Sequence, residues 1–271
     1  MITFPHAKIN LGLYIVGRRP DGYHNILSCF YPIPLADALE MVPSDTTDLR
    51  CVNATIARKQ NSVWRLLQAV RALGMSRSFR WWLLKGIPSE AGLGGGSADA
   101  AFALRMLCEH TDLRLSHRQQ VRLLAAITAD GPFFLQDRPA IVEGLGDRVT
   151  PIALSLAGWH LTIIKPDVGM PTAEAYARIR PAPYAKEQLL DILRRPVEEW
   201  QGCLENRFEG VVFERYPYLR SIKDGLYRLG AVYVAMSGSG TSFFALSEGP
   251  LDLLPEWERW KVWGGDLPSI P

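Results

Sequence analysis

A glycine-rich stretch, GLGGGSADA, runs from Gly92 to Ala100 and is the part of the sequence best suited to hold a phosphate group. Gly94, Gly95 and Gly96 let backbone N–H groups approach a bulky anion, since no side chain intervenes. Small, helix-compatible residues follow, and the N-terminus of a helix concentrates partial positive charge. The pattern indicates a phosphate-binding loop, with a tight strand-to-helix turn as the alternative.

Two common nucleotide-binding fingerprints do not fit this loop. The P-loop requires Gly-Lys-Ser or Gly-Lys-Thr after its glycines, and neither follows here. The Rossmann fingerprint requires glycine or alanine at its sixth position. Counting from Gly92 gives Ser97 there, and counting from Gly94 gives Asp99. Both of these familiar readings are therefore excluded.

Three other places carry side chains suited to phosphoryl transfer, which needs positive charge on the moving group and a residue that orients or deprotonates the acceptor hydroxyl. Lys8 lies in the apolar run HAKINLGL, and Asp130 precedes Gly-Pro-Phe-Phe in TADGPFFL. Tyr23 and His24 follow the turn RPDG, where they could stack on a base and bind its edge. Each has an ordinary alternative: a lysine that extends to the surface, an Asp-Gly turn and a loop cap.

A second glycine-rich turn, SGSGTS, spans Ser237 to Ser242 between two apolar strand-like segments. A hairpin turn explains it at least as well as a phosphate site does. Two such turns in one chain nevertheless favour substrates that carry phosphate.

Composition and charge restrict the class of protein. The 271 residues are enough for two closely packed domains, and 48% hydrophobic with 21% charged residues is typical of a globular protein. A net charge of +2 argues against nucleic-acid binding. The four cysteines form no C-x-x-C pair, and we find neither a membrane span nor a secretory signal. We expect a cytoplasmic protein.

Strands and helices alternate along the chain, which favours an α/β or α+β fold with two lobes. Apolar periodicity predicts a strand over AKINLGLYIVGRR, a helix over NSVWRLLQAVRALG, an aromatic strand in FRWWLLKGIP and a helix over SHRQQVRLLAAITA. Ser116 and Gln119 fit a capping box on the last of these helices.

The pattern restarts after Pro151, and we divide the chain into residues 1–150 and 151–271. The second part predicts a strand in WHLTIIKP, strands in AVYVAM and TSFFAL, and a helix with Leu204, Phe208, Val211 and Val212 on one face. The tail from Pro255 to Pro271 carries three tryptophans between prolines and charges, and we assign it no element.

Five segments together resemble the GHMP small-molecule kinases, in the order that this family has them. They span Pro5 to Leu246 and read PHAKINLGLYIVGRRPDGYHNILSCF, IPSEAGLGGGSADAA, ITADGPFFL, GMPTAEAY and MSGSGTSFFAL. The D-G-Y-H loop is similar to the branch that acts on a cytidine diphosphate-linked polyol of the non-mevalonate isoprenoid route. The resemblance implies an α+β fold with a ribosomal-protein-S5-like N-terminal domain, a ferredoxin-like C-terminal domain and the site between them.

The same resemblance implies the reaction and its partners. ATP would phosphorylate the 2-hydroxyl of the polyol, with Mg²⁺ expected alongside the nucleotide and no ligand set for the metal evident. Small molecules would be the partners, with no nucleic acid and no membrane, and the protein would be a monomer or a weak homodimer.

Roles follow position by position from the resemblance. Lys8 and Asp130 would be the catalytic pair, in which Asp130 takes or orients the hydroxyl proton while Lys8 keeps Asp130 ionised and stabilises the moving phosphoryl group. Asn61 would approach the adenine. The residues implied to wrap the ATP phosphates are Ile87, Pro88, Ser89, Glu90, Ala91, Gly92, Leu93, Gly94, Gly95, Gly96 and Ser97.

The acceptor would be held by residues from distant parts of the sequence. Asn10 would bind near the reacting hydroxyl, and Thr172 would help to fix the substrate. His24 would read the cytosine edge, while Tyr23 and Tyr176 would sandwich the ring.

Four positions depart from the pattern that the resemblance implies. Ala98 replaces a common second serine, so one phosphate-binding hydroxyl would be missing. Thr128 replaces a glycine and Gly131 a valine, which affects the expected backbone geometry around Asp130. Arg207 replaces an acid, and we assign it no role. The remaining alternatives are a GHMP kinase for a smaller acceptor, such as mevalonate or homoserine, and a catalytically silent nucleotide-binding protein.

Overall fold

Three four-stranded sheets and eight α-helices make up residues 1–270, which are the residues that the computed structural model describes. The strands are β1 (Ile2–Thr3), β2 (His6–Arg18), β3 (His24–Ala36), β4 (Ala38–Pro43), β5 (Asp48–Cys51), β6 (Phe79–Leu84), β7 (Ala140–Gly144), β8 (Arg148–Pro151), β9 (His160–Ile164), β10 (Tyr233–Met236), β11 (Phe243–Ser247) and β12 (Lys261–Asp266). The helices are α1 (Ser62–Ala72), α2 (Gly95–His110), α3 (His117–Ala125), α4 (Thr172–Arg178), α5 (Lys186–Leu193), α6 (Phe208–Arg215), α7 (Tyr218–Arg228) and α8 (Pro255–Glu258).

The sheet orders are β1-β4-β6-β5, β2-β3-β7-β8 and β10-β11-β9-β12, and every pairing except β5 with β6 is antiparallel. This mixture of helices with largely antiparallel sheets confirms the α+β class. None of the helices in the described part of the chain has the length and apolar character needed to cross a bilayer.

The sheet that carries β2 and β3 is covered on both faces, which explains its long apolar runs. Ile9 and Tyr31 belong to a hydrophobic cluster with β9, β10 and β11. Ile15 and Phe30 belong to a second cluster that includes α1 and α2. A strand buried on both faces reads as a nearly continuous hydrophobic segment rather than an alternating one.

Local sequence signals place the helix ends. Asn61 caps α1, since its Oδ1 accepts hydrogen bonds from the N–H groups of Val63 and Trp64. The predicted capping box of Ser116 and Gln119 is confirmed at the start of α3.

The predicted helix that included Leu204 is too long at its N-terminal end, because α6 begins at Phe208. Gly202 turns the chain with a φ of +78°, and the carbonyl of Leu204 accepts a hydrogen bond from the Tyr233 hydroxyl. Leu204 is buried, but it packs from this turn and not from the helix.

The tryptophan-rich tail is part of the structure and not an addition to its surface. Its residues form α8 and then β12, which pairs with β9 at the edge of the third sheet. The Trp257 ring packs so closely on Gly225 that a Cβ there would overlap it. Pro271 lies outside the described residues.

The division into 1–150 and 151–271 stays a prediction. Strand β8 runs through residue 150, and the core is continuous across it. Phe30 and Leu104 share a hydrophobic cluster with Ile164 and Met236.

Candidate active site

The predicted phosphate loop lines a cavity of about 330 Å³ at the N-terminus of α2. All eleven loop residues from Ile87 to Ser97 border this cavity, together with Asn61. Gly94 has a φ of +75° and directs the chain into the helix at Gly95. Free N–H groups of the first helical turn therefore lie at a cavity wall, as an anion site requires.

The second glycine turn braces this loop. A Cβ on Gly92 would overlap the carbonyl oxygen of Ser237, and one on Gly240 would lie 2.9 Å from the carbonyl carbon of Ala91. The Ser237 hydroxyl donates a 2.9 Å hydrogen bond to the Gly92 carbonyl. Residues 237–242 thus form the predicted hairpin turn between β10 and β11, and glycine is needed there because two backbones touch.

Lys8 and Asp130 meet beside the loop. Lys8 is 2% exposed, and its Nζ lies 3.3 Å from Asp130 Oδ2, 3.0 Å from the Gly92 carbonyl oxygen and 2.6 Å from Asn10 Oδ1. The ammonium group also lies 4.4 Å from the centre of the Phe30 ring. Burial lowers the pKa of Lys8, while the charge of Asp130 opposes that shift. The pair joins the phosphate loop to the loop that carries Asp130.

Asn10 organises this junction from within the protein. Its side chain is on the same face of β2 as that of Lys8, since residues two apart in a strand share a face. Its Oδ1 accepts hydrogen bonds from Lys8, Ser237 and the N–H of Gly238, while its Nδ2 donates to Ser28. Asn10 is 1% exposed, so these contacts fix Lys8 against both glycine turns.

Asp130 is set by a short 3-10 turn, Gly131–Leu135, whose Phe133 and Phe134 side chains are buried. Thr128 and Gly131, two of the four positions that differ from the expected family pattern, lie here, and each change compensates for the other. A Cβ on Gly131 would lie 2.6 Å from Thr128 Oγ1 and 3.1 Å from Leu124 Cβ. The side chain gained at position 128 thus occupies space that a residue larger than glycine at 131 would fill, and the carboxylate keeps its contact with Lys8.

A second and larger cavity, of about 1100 Å³, lies on the other side of the Asp130 loop. Thr128 borders both cavities, and Ala129 borders the larger one. The predicted acceptor residues Tyr23, His24, Thr172 and Tyr176 all line the larger cavity, so the structure brings them together from β3, α4 and the turn before β3.

The aromatic rings in this cavity differ in how tightly they are packed. Tyr23 is 66% exposed, whereas Tyr176 packs edge-on against Phe208 at 4.9 Å between ring centres. His24 lies 5.4 Å from Tyr176, with 30° between the ring planes. Partial burial lowers the pKa of His24, and Arg18 adds to the shift, which favours the neutral imidazole with one donor and one acceptor.

The other two departures are also explained. Ala98 is fully buried in the hydrophobic cluster beneath α2, so its side chain faces the core, and the loss of a phosphate-binding hydroxyl stays a prediction. Arg207 lies 5.4 Å and 5.6 Å from the stacked rings of Tyr14 and Tyr184, and it donates to the Ala182 carbonyl. It is a structural contact between β2 and the segment after α4.

The sequence interpretation missed three charged residues beneath the loop. Lys85 and Asp99 border the nucleotide-sized cavity, and Asp37 bonds to both Lys85 and the start of the loop. Asp99 gives a signal in retrospect, because it is an acid on the alanine-rich buried face of α2. Such a residue needs a partner, and the partner was not identifiable without the sheet.

Comparison with known proteins agrees with this geometry. The family models for the GHMP kinase N-terminal and C-terminal domains match residues 61–141 and 185–255. The chain is 45% identical over 252 residues to the 4-diphosphocytidyl-2-C-methyl-D-erythritol kinase of Parabacteroides distasonis, which covers 92% of this chain and 93% of that protein. It is 44% identical over 273 residues to the protein of that name from Bacteroides thetaiotaomicron, covering 98% and 97%. A crystal structure of 4-(cytidine 5'-diphospho)-2C-methyl-D-erythritol kinase superposes with a TM-score of 0.81 at 33% identity, covering 99% of this chain and 100% of that one.

Proposed function

Since the chain belongs to the GHMP kinases, among the 4-diphosphocytidyl-2-C-methyl-D-erythritol kinases, we propose that it transfers the γ-phosphate of ATP to the 2-hydroxyl of that diphosphocytidyl polyol. One observation carries the proposal. The Lys8–Asp130 pair touches the phosphate loop through Gly92 and lies beside a second cavity lined by two tyrosines and a histidine.

Asp130 is the residue that orients, and accepts the proton from, the attacking hydroxyl. It lies on the loop between the two cavities and is 26% exposed, so a bound acceptor can reach it. The acceptor oxygen then attacks the γ-phosphorus in line as the bond to the β-phosphate oxygen breaks, giving ADP and the 2-phosphate without a covalent enzyme intermediate. Phosphoryl transfer of this kind relies mainly on positioning and electrostatic stabilisation.

Lys8 acts chiefly through Asp130. Its contacts with Asn10, Gly92 and Asp130 occupy the three donor directions of an ammonium group. The Lys8 charge pairs with the Asp130 carboxylate, and it also stabilises the negative charge on the transferring group because Lys8 is almost fully buried. Asn10 sets the position of Lys8, and its role near the reacting hydroxyl is exerted through that contact.

ATP would enter the smaller cavity, with its phosphates on residues 87–97 and its adenine toward Asn61. The cap of α1 uses Asn61 Oδ1, which leaves the side-chain amide for the base. No cluster of three or more metal-ligating His, Cys, Asp or Glu side chains occurs among residues 1–270. Mg²⁺ bound together with ATP would neutralise phosphate charge at residues 87–97.

The acceptor would place its cytosine between Tyr23 and Tyr176, with His24 on the base edge. Tyr176 is held by Phe208, while Tyr23 is exposed and free to close over a ligand. Thr172 Oγ1 accepts a 3.1 Å hydrogen bond from Ser239, so the residue that helps to fix the substrate is tied to the second glycine turn. An acceptor without a base would leave these rings unused, which argues against a kinase for mevalonate or homoserine.

Steady-state turnover tests the proposal directly. Purified protein with ATP, Mg²⁺ and 4-diphosphocytidyl-2-C-methyl-D-erythritol should release ADP and form the 2-phosphate, detected by a coupled ADP assay and by phosphorus NMR. Mevalonate and homoserine serve as control acceptors. ADP release no faster than with these controls would contradict the assignment.

A further inference from the structure

A buried three-charge cluster lies directly under the phosphate loop and has no place in the reaction described above. Lys85 Nζ contacts Asp37 Oδ2 and lies 2.7 Å from Asp99 Oδ2. The three side chains are 8%, 0% and 3% exposed. Charged groups are rarely this buried unless they are paired, and removal of one partner leaves the other without compensation.

The cluster connects the two ends of the loop. Lys85 and Gly86 precede the loop, and Asp99 follows it in the first turns of α2. Asp37 Oδ1 accepts hydrogen bonds of 2.6 Å and 2.8 Å from the N–H groups of Gly86 and Ile87. Asp37 therefore connects the start of the loop to the end of β3, and the contact between Lys85 and Asp99 connects the start of the loop to its end.

The cluster also borders the nucleotide cavity. Both Lys85 and Asp99 line it, and Lys85 Nζ lies 3.3 Å from where a Cβ on Gly95 would be. Asp99 Oδ1 is buried without a hydrogen-bond partner among residues 1–270. Burial raises the pKa of Asp99 to about 8, with Lys85 opposing the shift and Asp37 adding to it.

We propose that Lys85, Asp37 and Asp99 form a buried clamp that holds residues 87–97 in the shape that binds a nucleoside triphosphate. Lys85 and Asp99 are then positioning residues for ATP and take no part in the chemical step. Residues 87–94 form neither helix nor strand and lose considerable entropy on ordering, and a clamp at the ends of the loop removes part of that loss from the binding step. The identity of the nucleotide rests on the proposed function, whereas the clamp itself does not.

Asp99→Ala is the principal variant, because alanine suits the surrounding helix and removes the bond to Lys85. We expect the amides of residues 87–97 to exchange hydrogen about tenfold faster than in the wild type without any ligand. The Kd for the non-hydrolysable analogue AMP-PNP, from calorimetry, and the KM for ATP should both rise about tenfold. The value of kcat at saturating ATP and the KM for the acceptor should stay within about threefold.

Asp99→Asn supplies the conservative rescue, since its amide oxygen can still accept from Lys85, and we expect most of the nucleotide affinity to return. Lys85→Met combined with Asp99→Ala should weaken AMP-PNP binding by less than the product of the single effects, because both act through one contact. Lys186→Met is the matched control. It breaks the 3.1 Å pair with Glu143, away from the loop, and should leave AMP-PNP binding unchanged.

The outcomes separate the clamp from the assigned reaction. Unchanged hydrogen exchange of the loop in Asp99→Ala would overturn the clamp, whatever the enzyme turns over. Faster exchange with unchanged AMP-PNP affinity would overturn the positioning role. If the wild type does not turn over the proposed acceptor but the exchange and binding results are as expected, the proposed reaction is overturned and the clamp is retained.

Discussion

The two cavities that share Thr128, two residues before Asp130, are built by different means. The nucleotide cavity is formed mainly by the backbone of one continuous segment, residues 87–97, held from below by buried charges and from the side by a second glycine turn. The larger cavity is formed by side chains from several distant segments, and one of them, Tyr23, is two-thirds exposed.

The difference in construction means that one cavity is rigid and the other provides substrate selectivity. Every nucleoside triphosphate offers the same phosphates, so a fixed array of N–H groups serves the nucleotide side. The acceptor side must distinguish one polyol nucleotide from other alcohols, and aromatic faces with a neutral histidine provide that selectivity at the cost of pre-organisation. Variants on the two sides should therefore change different kinetic constants.

Asp130→Ala should give the largest effect and should touch neither binding constant strongly. Loss of a residue that takes or orients the proton costs about 10³-fold in kcat. The Kd for AMP-PNP should stay within about threefold, because Asp130 lies outside the loop backbone. Stopped-flow or steady-state rates with parallel calorimetry provide the measurement. A near-normal kcat would remove Asp130 from the mechanism. A loss of AMP-PNP affinity as large as the loss in kcat would show that the nucleotide cavity and the acceptor cavity do not act separately.

Gly92→Ala should damage the nucleotide side alone. Residue 92 has a φ of +74°, and an added Cβ would overlap the Ser237 carbonyl oxygen. Strain of about 2 kcal/mol corresponds to roughly 30-fold weaker AMP-PNP binding, measured by calorimetry.

Gly210→Ala is the matched control, since its Cβ would meet nothing within 4 Å, its φ is ordinary and it does not line the nucleotide cavity. This variant should bind AMP-PNP within about threefold of the wild type. Similar losses in both variants would mean that the contact between Gly92 and Ser237 is not the cause.

Tyr176→Ala should damage the acceptor side alone. Stacking of a base on an aromatic ring contributes about 1–3 kcal/mol, so the KM for the diphosphocytidyl substrate should rise about tenfold or more while the KM for ATP is unchanged. Tyr176→Phe keeps the ring and its contact with Phe208 and should bind the substrate nearly as well. An unaltered acceptor KM in Tyr176→Ala would reject the proposed sandwich.

The alkaline limb of the pH–rate profile should show the smallest effect. Burial lowers the pKa of Lys8 below the usual value for lysine of 10.5. The cationic form supports Asp130, so kcat should fall as pH rises through this lowered pKa, at a lower pH than an ordinary lysine would give. We expect kcat to decline about two- to fivefold over the last pH unit in which the protein stays folded. A flat profile over that range would argue against a role for the Lys8 charge.

The sequence predicts the backbone-built side better than the side-chain-built one. Glycines at Gly92 and Gly94 mark the loop because their local conformation demands them, and the capping box of α3 is likewise local. Resemblance alone indicates Tyr176, whereas Tyr23 stands out as part of a Tyr-His pair after a turn, and nothing in either segment indicates that the two share a cavity.

The rest depends on pairings that no local pattern encodes. The Lys85–Asp99 contact exists because the strand β6 ends beneath α2, and β12 is a strand because β9 offers it a free edge. Position 98 faces the core because of its angle on α2, which a motif comparison does not report. The roles of individual site residues remain predictions until the variants are measured.

The brace on the phosphate loop has a consequence for how the site comes into being. Ser237 donates to Gly92 across 145 residues of chain, and the N–H of Gly238 donates to Asn10 across 228. Contacts this far apart in sequence require the closure of a long loop of chain, which is entropically unfavourable. A fragment that stops before residue 237 would contain the entire GLGGGS motif and still lack the group that shapes it. Nucleotide capture would therefore report that the two distant segments have joined, and motif-bearing fragments should not complement a deletion on their own.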